Sequence, residues 1–305
     1  MIADVMRWLP GILLLLQVLP LWAQDSFTVA TYNVKNYLVE SIPGRKAKPA
    51  AARQRVQQVI LHARPDVLAL QEMGQDRALQ DLVTGLKTGG LDYPHHRLMH
   101  ANDRAIRLAL LSRFPITRMV THTNDQFVAD NSRQWVRRGF LEAEIAVSDG
   151  YRFSLIAAHL KSKFAVPYAR ESEIRKREAA VLRSKVEAML ERDPKVNLIV
   201  LGDLNDTPDS TAVRTIMGRG TRRLFDPKPF EWAFADDQFM MERPQVQWTY
   251  YFPSGGVYSR VDYVLMSPGM KREWLRETTA IPAVRYWFEA SDHRLVKVGF
   301  RAEDL

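Results

Sequence analysis

Short apolar runs alternate along the chain with longer stretches in which apolar residues recur at helical spacing. The runs are rich in β-branched and aromatic residues, which is typical of strands. They predict strands at residues 27–33, 66–71, 106–111, 140–147, 151–158, 196–201, 246–252, 261–266 and 295–300. Helical spacing predicts helices at residues 49–63, 75–87 and 170–192. Asp149 and Gly150 are a hairpin turn signal between two of the strands.

The alternation of strands and helices predicts one mixed α/β domain in which helices cover sheets. No internal repeat and no linker rich in Pro, Gly or Ser divides residues 27–300. The chain has 305 residues, of which 46% are hydrophobic and 26% charged. This composition excludes a disordered, a collagen-like or a coiled-coil protein.

The first 23 residues differ from the rest of the chain. They carry Arg7, an apolar stretch over residues 8–22 and the small residue Ala23, a pattern typical of a cleaved secretory signal peptide. The alternative is an uncleaved membrane anchor, but a span needs about 20 apolar residues and two prolines and a glutamine interrupt this stretch. We therefore expect a signal peptide at residues 1–23, one domain at residues 24–305 and a secreted or periplasmic protein.

The charge balance favours anionic partners. Lys and Arg number 43 against 35 Asp and Glu, which gives a formal net charge of +8. A basic chain attracts nucleic acid, phosphorylated small molecules or acidic lipid head groups. The chain contains no Cys. A disulfide framework, a thiolate metal site and a Cys nucleophile are therefore excluded.

Polar residues of a few types stand at the ends of the apolar runs, where α/β folds gather their ligand sites. Taken singly, each has an ordinary explanation as a solvated strand end, an Asx turn or a structural histidine. Together they predict one site, and they are Asn33, Glu72, His159, Asp203, Asn205, Asp262, Asp292 and His293.

Two of these positions suit a phosphate-directed metal enzyme. Glu72 ends the run LALQE, and a hard cation such as Mg²⁺ binds through one or two carboxylates while keeping several waters. In GDLNDTP, Asp203 and Asn205 lie two residues apart, so their side chains can converge while Asp206 turns elsewhere.

A third position pairs an acid with an imidazole. Asp292 and His293 are adjacent in SDHRLV, so they can engage a metal or a phosphate together. A second carboxylate, such as Asp262, could orient the ring of His293 and hold its proton.

Seven segments together resemble the endonuclease/exonuclease/phosphatase superfamily, which has the DNase-I-like fold. They are TYNVKN (31–36), LALQE (68–72), LALLSRFPI (108–116), AAHLKSK (157–163), VLGDLNDTP (200–208), SRVDYVLMS (259–267) and SDHRLV (291–296). The resemblance implies an α/β four-layer sandwich of two packed mixed β-sheets flanked by helices. It also implies hydrolysis of phosphate esters that depends on Mg²⁺, with Mn²⁺ as an alternative ion.

The resemblance also implies a role for each metal-side residue. Glu72 resembles the principal metal ligand, and Asn33 and Asp292 resemble residues that complete or support the metal site. Asp203 resembles the residue that activates or orients the attacking water.

The remaining positions resemble groups that act on the phosphate. Asn205 and His159 resemble phosphate-positioning donors, and His293 paired with Asp262 resembles a catalytic histidine dyad. Arg138 resembles an arginine placed against the phosphate, although arginines at 133 and 137 stand close enough to take that place.

The substrate is less well defined than the reaction, because one scaffold serves many functions. Charge and the expected export favour a nuclease acting on DNA or RNA. The second interpretation is a phospholipid phosphodiesterase, sphingomyelinase-like, or an inositol-phosphate phosphatase; the third is a non-catalytic protein that binds nucleic acid or a surface. Tyr286, Trp287 and Phe288 could stack on a base, touch a membrane or belong to the core. No obligate protein partner is indicated.

Overall fold

The computed structural model describes residues 25–231 and 246–305. The strands are β1 Ser26–Tyr37, β2 Val67–Met73, β3 His95–Leu98, β4 Arg107–Ser112, β5 Ile116–His122, β6 Gln126–Ala129, β7 Ser132–Trp135, β8 Phe140–Ala146, β9 Arg152–His159, β10 Leu198–Asp203, β11 Tyr250–Phe252, β12 Val257–Ser259, β13 Asp262–Met266, β14 Trp274–Ala280 and β15 Val296–Arg301. The α-helices are α1 Ala50–Ala63, α2 Asp76–Thr88, α3 Glu171–Arg192, α4 Thr211–Met217 and α5 Trp287–Ala290. The expected signal peptide at residues 1–23 lies outside the described residues and stays a prediction.

The strands form two mixed sheets and two separate hairpins. The first sheet has the order β14-β15-β1-β2-β4-β3, in which only β1 and β2 run parallel. The second has the order β13-β10-β9-β8-β5, in which only β10 and β9 run parallel. The hairpins pair β6 with β7 and β11 with β12.

The two sheets pack face to face, and helices cover their outer faces. Alternate residues of β1 separate the layers: Phe27 points between the sheets and stacks on Phe153 of β9, with ring centroids 4.9 Å apart. Tyr32 points to the other side, into the apolar layer under α1 and α2. A third apolar layer lies between the second sheet and helices α3 and α4. The predicted four-layer α/β sandwich is confirmed.

The amphipathic pattern of α1 explains its docking. Val56, Val59, Ile60 and Ala63 are buried, and their spacing places them on one face of the helix. The helix ends at Ala63, and Arg64 caps it in a left-handed conformation with φ of 45° before Pro65. Within the described residues, no helix combines the length and the apolar character that crossing a membrane requires.

Several strands at the edges lack a continuous apolar run, so the hydrophobic pattern does not predict them. The segment DYPHHRLMH gives no strand signal, yet its residues 95–98 form the edge strand β3 beside β4. Exposed or half-exposed side chains on both faces explain this, as they also do for β6 and β7. The strand predicted at residues 246–252 is shorter, because only Tyr250–Phe252 pair in the hairpin.

Candidate active site

Three site residues lie side by side where neighbouring strands of the second sheet end. Asp203 is the last residue of β10, and it is in register with His159 on parallel β9 and with Asp262 on antiparallel β13. Gly202 permits this close approach, because its φ is 137° and a Cβ there would lie 1.9 Å from the carbonyl oxygen of Ala158. Strand register alone therefore gathers an imidazole and two carboxylates.

His293 joins these residues from the segment between α5 and β15, the latter a strand of the first sheet. Its Nδ1 lies 2.9 Å from Oδ2 of Asp262, and its Nε2 lies 3.8 Å from Oδ2 of Asp203. The Nε2 of His159 lies 3.4 Å from the same oxygen of Asp203. All four side chains are buried. We refer to His159, Asp203, Asp262 and His293 as the buried flank of the site.

Burial and charge give the two histidines opposite protonation states. Burial alone lowers the pKa of His293, but the carboxylates of Asp262 and Asp203 outweigh it and raise that pKa to about 10. Burial, together with the charges of Arg138 and His293, holds the pKa of His159 well below its usual value. Burial raises the pKa of Asp203 to about 7, although His293 opposes the rise. At neutral pH His293 is thus protonated and His159 neutral, and groups whose pKa values are pushed apart serve as acid and base.

Asn33 links the two sheets at the site. Its Nδ2 donates to Oδ2 of Asp203 at 3.0 Å and to Oε1 of Glu72 at 3.4 Å. Its Oδ1 accepts the backbone N–H of Lys35 at 3.0 Å. Glu72 lies where the pairing of β2 shifts register, with φ of 63°, and its Oε2 accepts the N–H of Asn36 at 2.9 Å. The amide of Asn33 therefore holds two predicted functional carboxylates together.

Ser291 fixes the segment that carries Asp292 and His293. Its hydroxyl donates to the carbonyl of Asn33 at 2.7 Å and accepts the N–H of His293 at 3.1 Å. The neighbouring Asp292 turns its carboxylate to the ammonium of Lys35, with Oδ2 and Nζ 3.2 Å apart. The side chain of Lys35 is 49% exposed and that of Asp292 is 21% exposed, so this part of the site is open to solvent.

Tyr250 lies over His293, with ring centroids 4.6 Å apart. Burial raises the pKa of Tyr250 to about 12, and the charges of Asp292, Asp203 and Glu72 add to the effect. The phenol therefore lies close enough to these three carboxylates for their charge to act on it. We refer to Glu72, Asp292, Lys35 and Tyr250 as the open flank.

Hydrogen bonds at Thr249 and Tyr251 hold the hairpin of β11 and β12 against the segments that carry Asp262 and Asp292. The N–H of Tyr251 donates to the carbonyl of Asp292 at 2.9 Å. The hydroxyl of Thr249 accepts the N–H groups of Val261 and Asp262, at 3.0 and 3.1 Å. The position of Tyr250 is thereby tied to the dyad of Asp262 and His293.

The loop after His159 is fastened by two predicted phosphate-contacting residues. Asn205, with φ of 54°, donates its backbone N–H to Oδ1 of Asp203 at 2.9 Å and its Nδ2 to the carbonyl of Leu160 at 3.0 Å. Arg138 donates to the same carbonyl at 2.7 Å, and its charge acts on His159. Both side chains thus lie beside the buried flank, and their contact with a phosphate stays a prediction.

The arginines at the start of α3 are engaged in ion pairs. Arg170 pairs with Asp130 at 3.1 Å and Arg177 with Glu173 at 2.7 Å. Nε of Arg175 is 2.8 Å from Asp206, the acid that was expected to turn away from Asp203. This helix face is therefore a poor candidate for a free anion-binding surface.

Two groups of side chains could hold a divalent cation. One is the carboxylates of Glu72 and Asp292, with Asn33 bonded to Glu72, which offer the hard oxygen donors that Mg²⁺ prefers. Ligand atoms of Asp203, Asp262 and His293 lie within 4.8 Å of one another. The oxygen set on the open flank is the one that the family resemblance implies.

Sequence patterns missed three residues that complete the site. Lys35 and Ser291 lie inside the segments TYNVKN and SDHRLV, so the sequence could have predicted that they are near the site. Their contacts could not be predicted from it. Tyr250 belongs to a predicted strand, and nothing in its local pattern distinguishes it from Tyr251.

Comparison with known proteins gives the family and the fold of the chain. The profile of the endonuclease/exonuclease/phosphatase family matches residues 30–293. The catalytic domain of human nocturnin is 16% identical with a TM-score of 0.61, covering 90% of this chain and 94% of its own. Truncated TDP2 of Caenorhabditis elegans is 17% identical with a TM-score of 0.57, and the match covers 91% of this chain and 98% of that protein. Sphingomyelinase C of Streptomyces griseocarneus is 18% identical with a TM-score of 0.55, and the match covers 90% of this chain and 99% of that protein. No curated protein matches. At these identities the structures establish a shared fold.

Proposed function

We propose that this chain, which belongs to the endonuclease/exonuclease/phosphatase family by the match over residues 30–293, is a metal-dependent phosphodiesterase. We propose DNA or RNA as its substrate. Members of this family are typically phosphoester hydrolases. The observation that carries the proposal is the hydrogen bond from Asn33 to Asp203, because it joins an open set of metal-ligating oxygens to a buried acid–base group.

The buried flank can perform the proton chemistry of phosphodiester hydrolysis. Asp203, once ionised, is placed to accept a hydrogen bond from the attacking water and to orient it. Protonated His293, held by Asp262, supplies positive charge and a donor to the phosphate oxygens, whose charge grows in the transition state. Neutral His159 can donate or accept beside Asp203.

A divalent cation would add a charge that the protein itself does not supply. Glu72 and Asp292 would hold it, with Asn33 in support. Bound there, the ion would neutralise phosphate oxygens as a Lewis acid. Tyr250 and Lys35 border the same space and can donate to a phosphate.

The net charge of +8 favours nucleic acid as the substrate. Backbone phosphates bound by Lys and Arg release counterions, so affinity should fall steeply with salt. The exposed rings near the site can stack on bases in a sequence-tolerant way.

A lipid phosphodiesterase is the second candidate, and the exposed aromatic surface favours it. Phe252, Tyr258, Tyr286 and Phe288 are exposed, and Phe288 reaches 62%. The surface is joined to the site through Tyr251, whose ring stacks on Tyr258 at 4.6 Å. Aromatic side chains at such a place can enter a membrane interface.

One assay separates the candidates. Protein lacking residues 1–23 would be tested on supercoiled plasmid, RNA, sphingomyelin vesicles and inositol phosphates, with Mg²⁺, with Mn²⁺ and with chelator. We expect metal-dependent nicking or RNA cleavage, absent from the Asp203→Asn variant. Release of choline phosphate or inorganic phosphate without nucleic-acid cleavage would replace the nuclease with the lipid or inositol-phosphate enzyme. No hydrolysis of any substrate would leave only a binding role.

We also propose that the chain is exported and that residues 1–23 are removed. Ala23 is the small residue expected at the cleavage site. Expression of the full chain in a secreting bacterial host should yield a protein whose first residue is Gln24. An intact N-terminus recovered with the membrane fraction would contradict cleavage.

A further inference from the structure

Two charged residues of α3 are buried against the loop that follows His159, and the chemistry assigned to the site does not use them. They are Arg175 and Glu178, each only 3% exposed. Because they lie three residues apart, they share one face of the helix. The same face continues with Ala179 and Leu182, which pack in the apolar layer between α3 and the second sheet.

Both side chains bind the backbone of one residue, Lys161. Oε2 of Glu178 accepts the N–H of Lys161 at 2.6 Å, and Nη1 of Arg175 donates to the carbonyl of Lys161 at 3.1 Å. Nε of Arg175 also donates to Oδ2 of Asp206 at 2.8 Å. Arg175 thus links the loop after β9 to the loop after β10, while Glu178 holds the first of these loops at a second point.

The N–H that Glu178 accepts belongs to the same peptide group as the carbonyl of Leu160. That carbonyl accepts hydrogen bonds from both predicted phosphate donors, from Arg138 at 2.7 Å and from Asn205 at 3.0 Å. A peptide group is planar, and its N–H and C=O point in opposite directions, so fixing one of them fixes the other. We call the peptide group between Leu160 and Lys161 the loop anchor.

Each predicted phosphate donor keeps hydrogens for a ligand while it is bound to the loop anchor. The amide nitrogen of Asn205 carries a second hydrogen, and the guanidinium of Arg138 carries several more. The direction of these remaining N–H groups depends on the bond that each side chain makes to the carbonyl of Leu160. The orientation of the loop anchor therefore sets where both donors point.

Stability does not explain why Glu178 is buried. Burial raises its pKa to about 7, and its bond to Lys161 and the charge of Arg138 oppose the rise only in part. An acid whose pKa is higher in the folded than in the unfolded protein loses stability for the fold as the pH rises between the two values. Ionised Glu178 is therefore a cost at neutral pH, and apolar residues often replace such buried charges without loss of stability.

We propose that Glu178 and Arg175 are positioning residues, which hold the loop anchor so that Arg138 and Asn205 direct their remaining N–H groups at the phosphate. This rests on the proposed phosphodiesterase function. Neither residue of α3 contacts the substrate under this proposal. Their loss should therefore slow the reaction and leave the binding of substrate nearly unchanged.

Substitutions of Glu178 separate positioning from packing, with rates measured on a fluorescently labelled DNA oligonucleotide and its RNA counterpart. Glu178→Met removes the acceptor of the Lys161 N–H. We expect kcat to fall about 100-fold, the effect of misplacing a group by about 1 Å, and KM to change less than about threefold. Glu178→Gln keeps an acceptor oxygen without the charge, so kcat should stay within about threefold and the melting temperature should not fall.

Arg175→Lys tests the second point of attachment. It keeps a cation beside Asp206 but lacks the second nitrogen that reaches the carbonyl of Lys161, so kcat should fall about tenfold. Arg183→Met is the matched control, because Arg183 is a buried arginine of the same helix that donates to two carbonyls at the end of α4, at 3.0 and 3.1 Å. Its loss should lower the melting temperature and keep kcat within about twofold, since distant sites act independently.

A double-mutant cycle shows whether Glu178 acts through a phosphate donor. Glu178→Met should slow the Arg138→Met enzyme by about tenfold or less, against about 100-fold in the wild-type background. A residue that only supports packing would slow both enzymes by the same factor. Circular dichroism confirms folding of each variant, and if Glu178→Met does not fold, Arg175→Lys is used in the same cycle.

Near-normal kcat in folded Glu178→Met or Arg175→Lys would overturn the positioning role, and so would equal factors in the cycle. Failure of the proposed function looks different, because the wild type itself would then cleave neither oligonucleotide.

Discussion

The two flanks of the site are built by different means. The buried flank follows from strand register, since His159, Asp203 and Asp262 are neighbours on three paired strands. The open flank follows from a shift in register and from loops, and it includes the half-exposed Lys35. Proton transfer benefits from groups that are fixed and dry, whereas ions and substrates must enter and leave. Under the proposed function, the buried flank would therefore set the chemistry and the open flank would set what binds.

Variants of the buried flank should have the largest effect. We expect Asp203→Ala and His293→Ala each to lower kcat by about 10³-fold or more, since each removes a group used for acid–base or electrostatic stabilisation. The double variant should be little worse than either, because the two residues act together. Single-turnover rates and melting curves on the same samples test this. Near-normal rates in either folded variant would show that the buried flank is not catalytic.

Asp262→Asn tests whether the carboxylate of Asp262 raises the pKa of His293. The wild-type rate should rise with pH through about 7 as Asp203 ionises and fall near 10 as His293 loses its proton. Removing the carboxylate of Asp262 removes the main charge that raises the pKa of His293, so the alkaline limb should move to lower pH. We also expect kcat to fall about 10²-fold. An alkaline limb at unchanged pH would show that this limb does not report the loss of the proton from His293.

Glu72→Gln tests the open flank as the metal site. The substitution keeps the size of the side chain and removes its charge, so half-maximal activity should require about 10- to 100-fold more Mg²⁺. Excess metal should recover much of the rate, which it cannot do for Asp203→Ala. Isothermal titration of the apo-protein with Mn²⁺ provides a measurement independent of activity. An unchanged affinity for Mn²⁺ would indicate that the metal binds at the buried flank instead.

Tyr250→Phe should have the smallest effect of the four. It keeps the ring on His293 and removes the hydroxyl that faces the carboxylates, so we expect kcat to fall about tenfold. Tyr251→Phe is the matched control, because that ring stacks outward on Tyr258. Equal effects in the two variants would mean that the hairpin acts only by packing.

The apolar runs were sufficient to predict most strands of both sheets, the mixed α/β class and the strand ends that carry the buried flank, whereas the four-layer sandwich was implied by the family resemblance. A run such as NLIVLGD delivers Asp203 to a sheet edge whatever lies elsewhere, and the parallel and antiparallel neighbours bring His159 and Asp262 to it. The family resemblance supplied roles that spacing alone left open.

The open flank could not be predicted in the same way, because its contacts depend on backbone turns. The proximity of Lys35 to Asp292 and of Lys48 to Lys35 arises from left-handed residues and a folded-back segment. Periodicity carries no information about such turns. The edge strand at residues 95–98 was missed for a related reason, since exposed strands lack a continuous apolar run.

Four non-glycine residues around the edge of the site hold left-handed conformations: Lys35, Asn36, Glu72 and Asn205. Such conformations cost on the order of 1 kcal/mol each, and glycine would adopt them freely. A population selected only for heat resistance would therefore gain glycine at these positions and lose turnover. Thermal tolerance and activity are opposed along this edge, and an engineer seeking a hardier enzyme should begin at the far ends of the sheets.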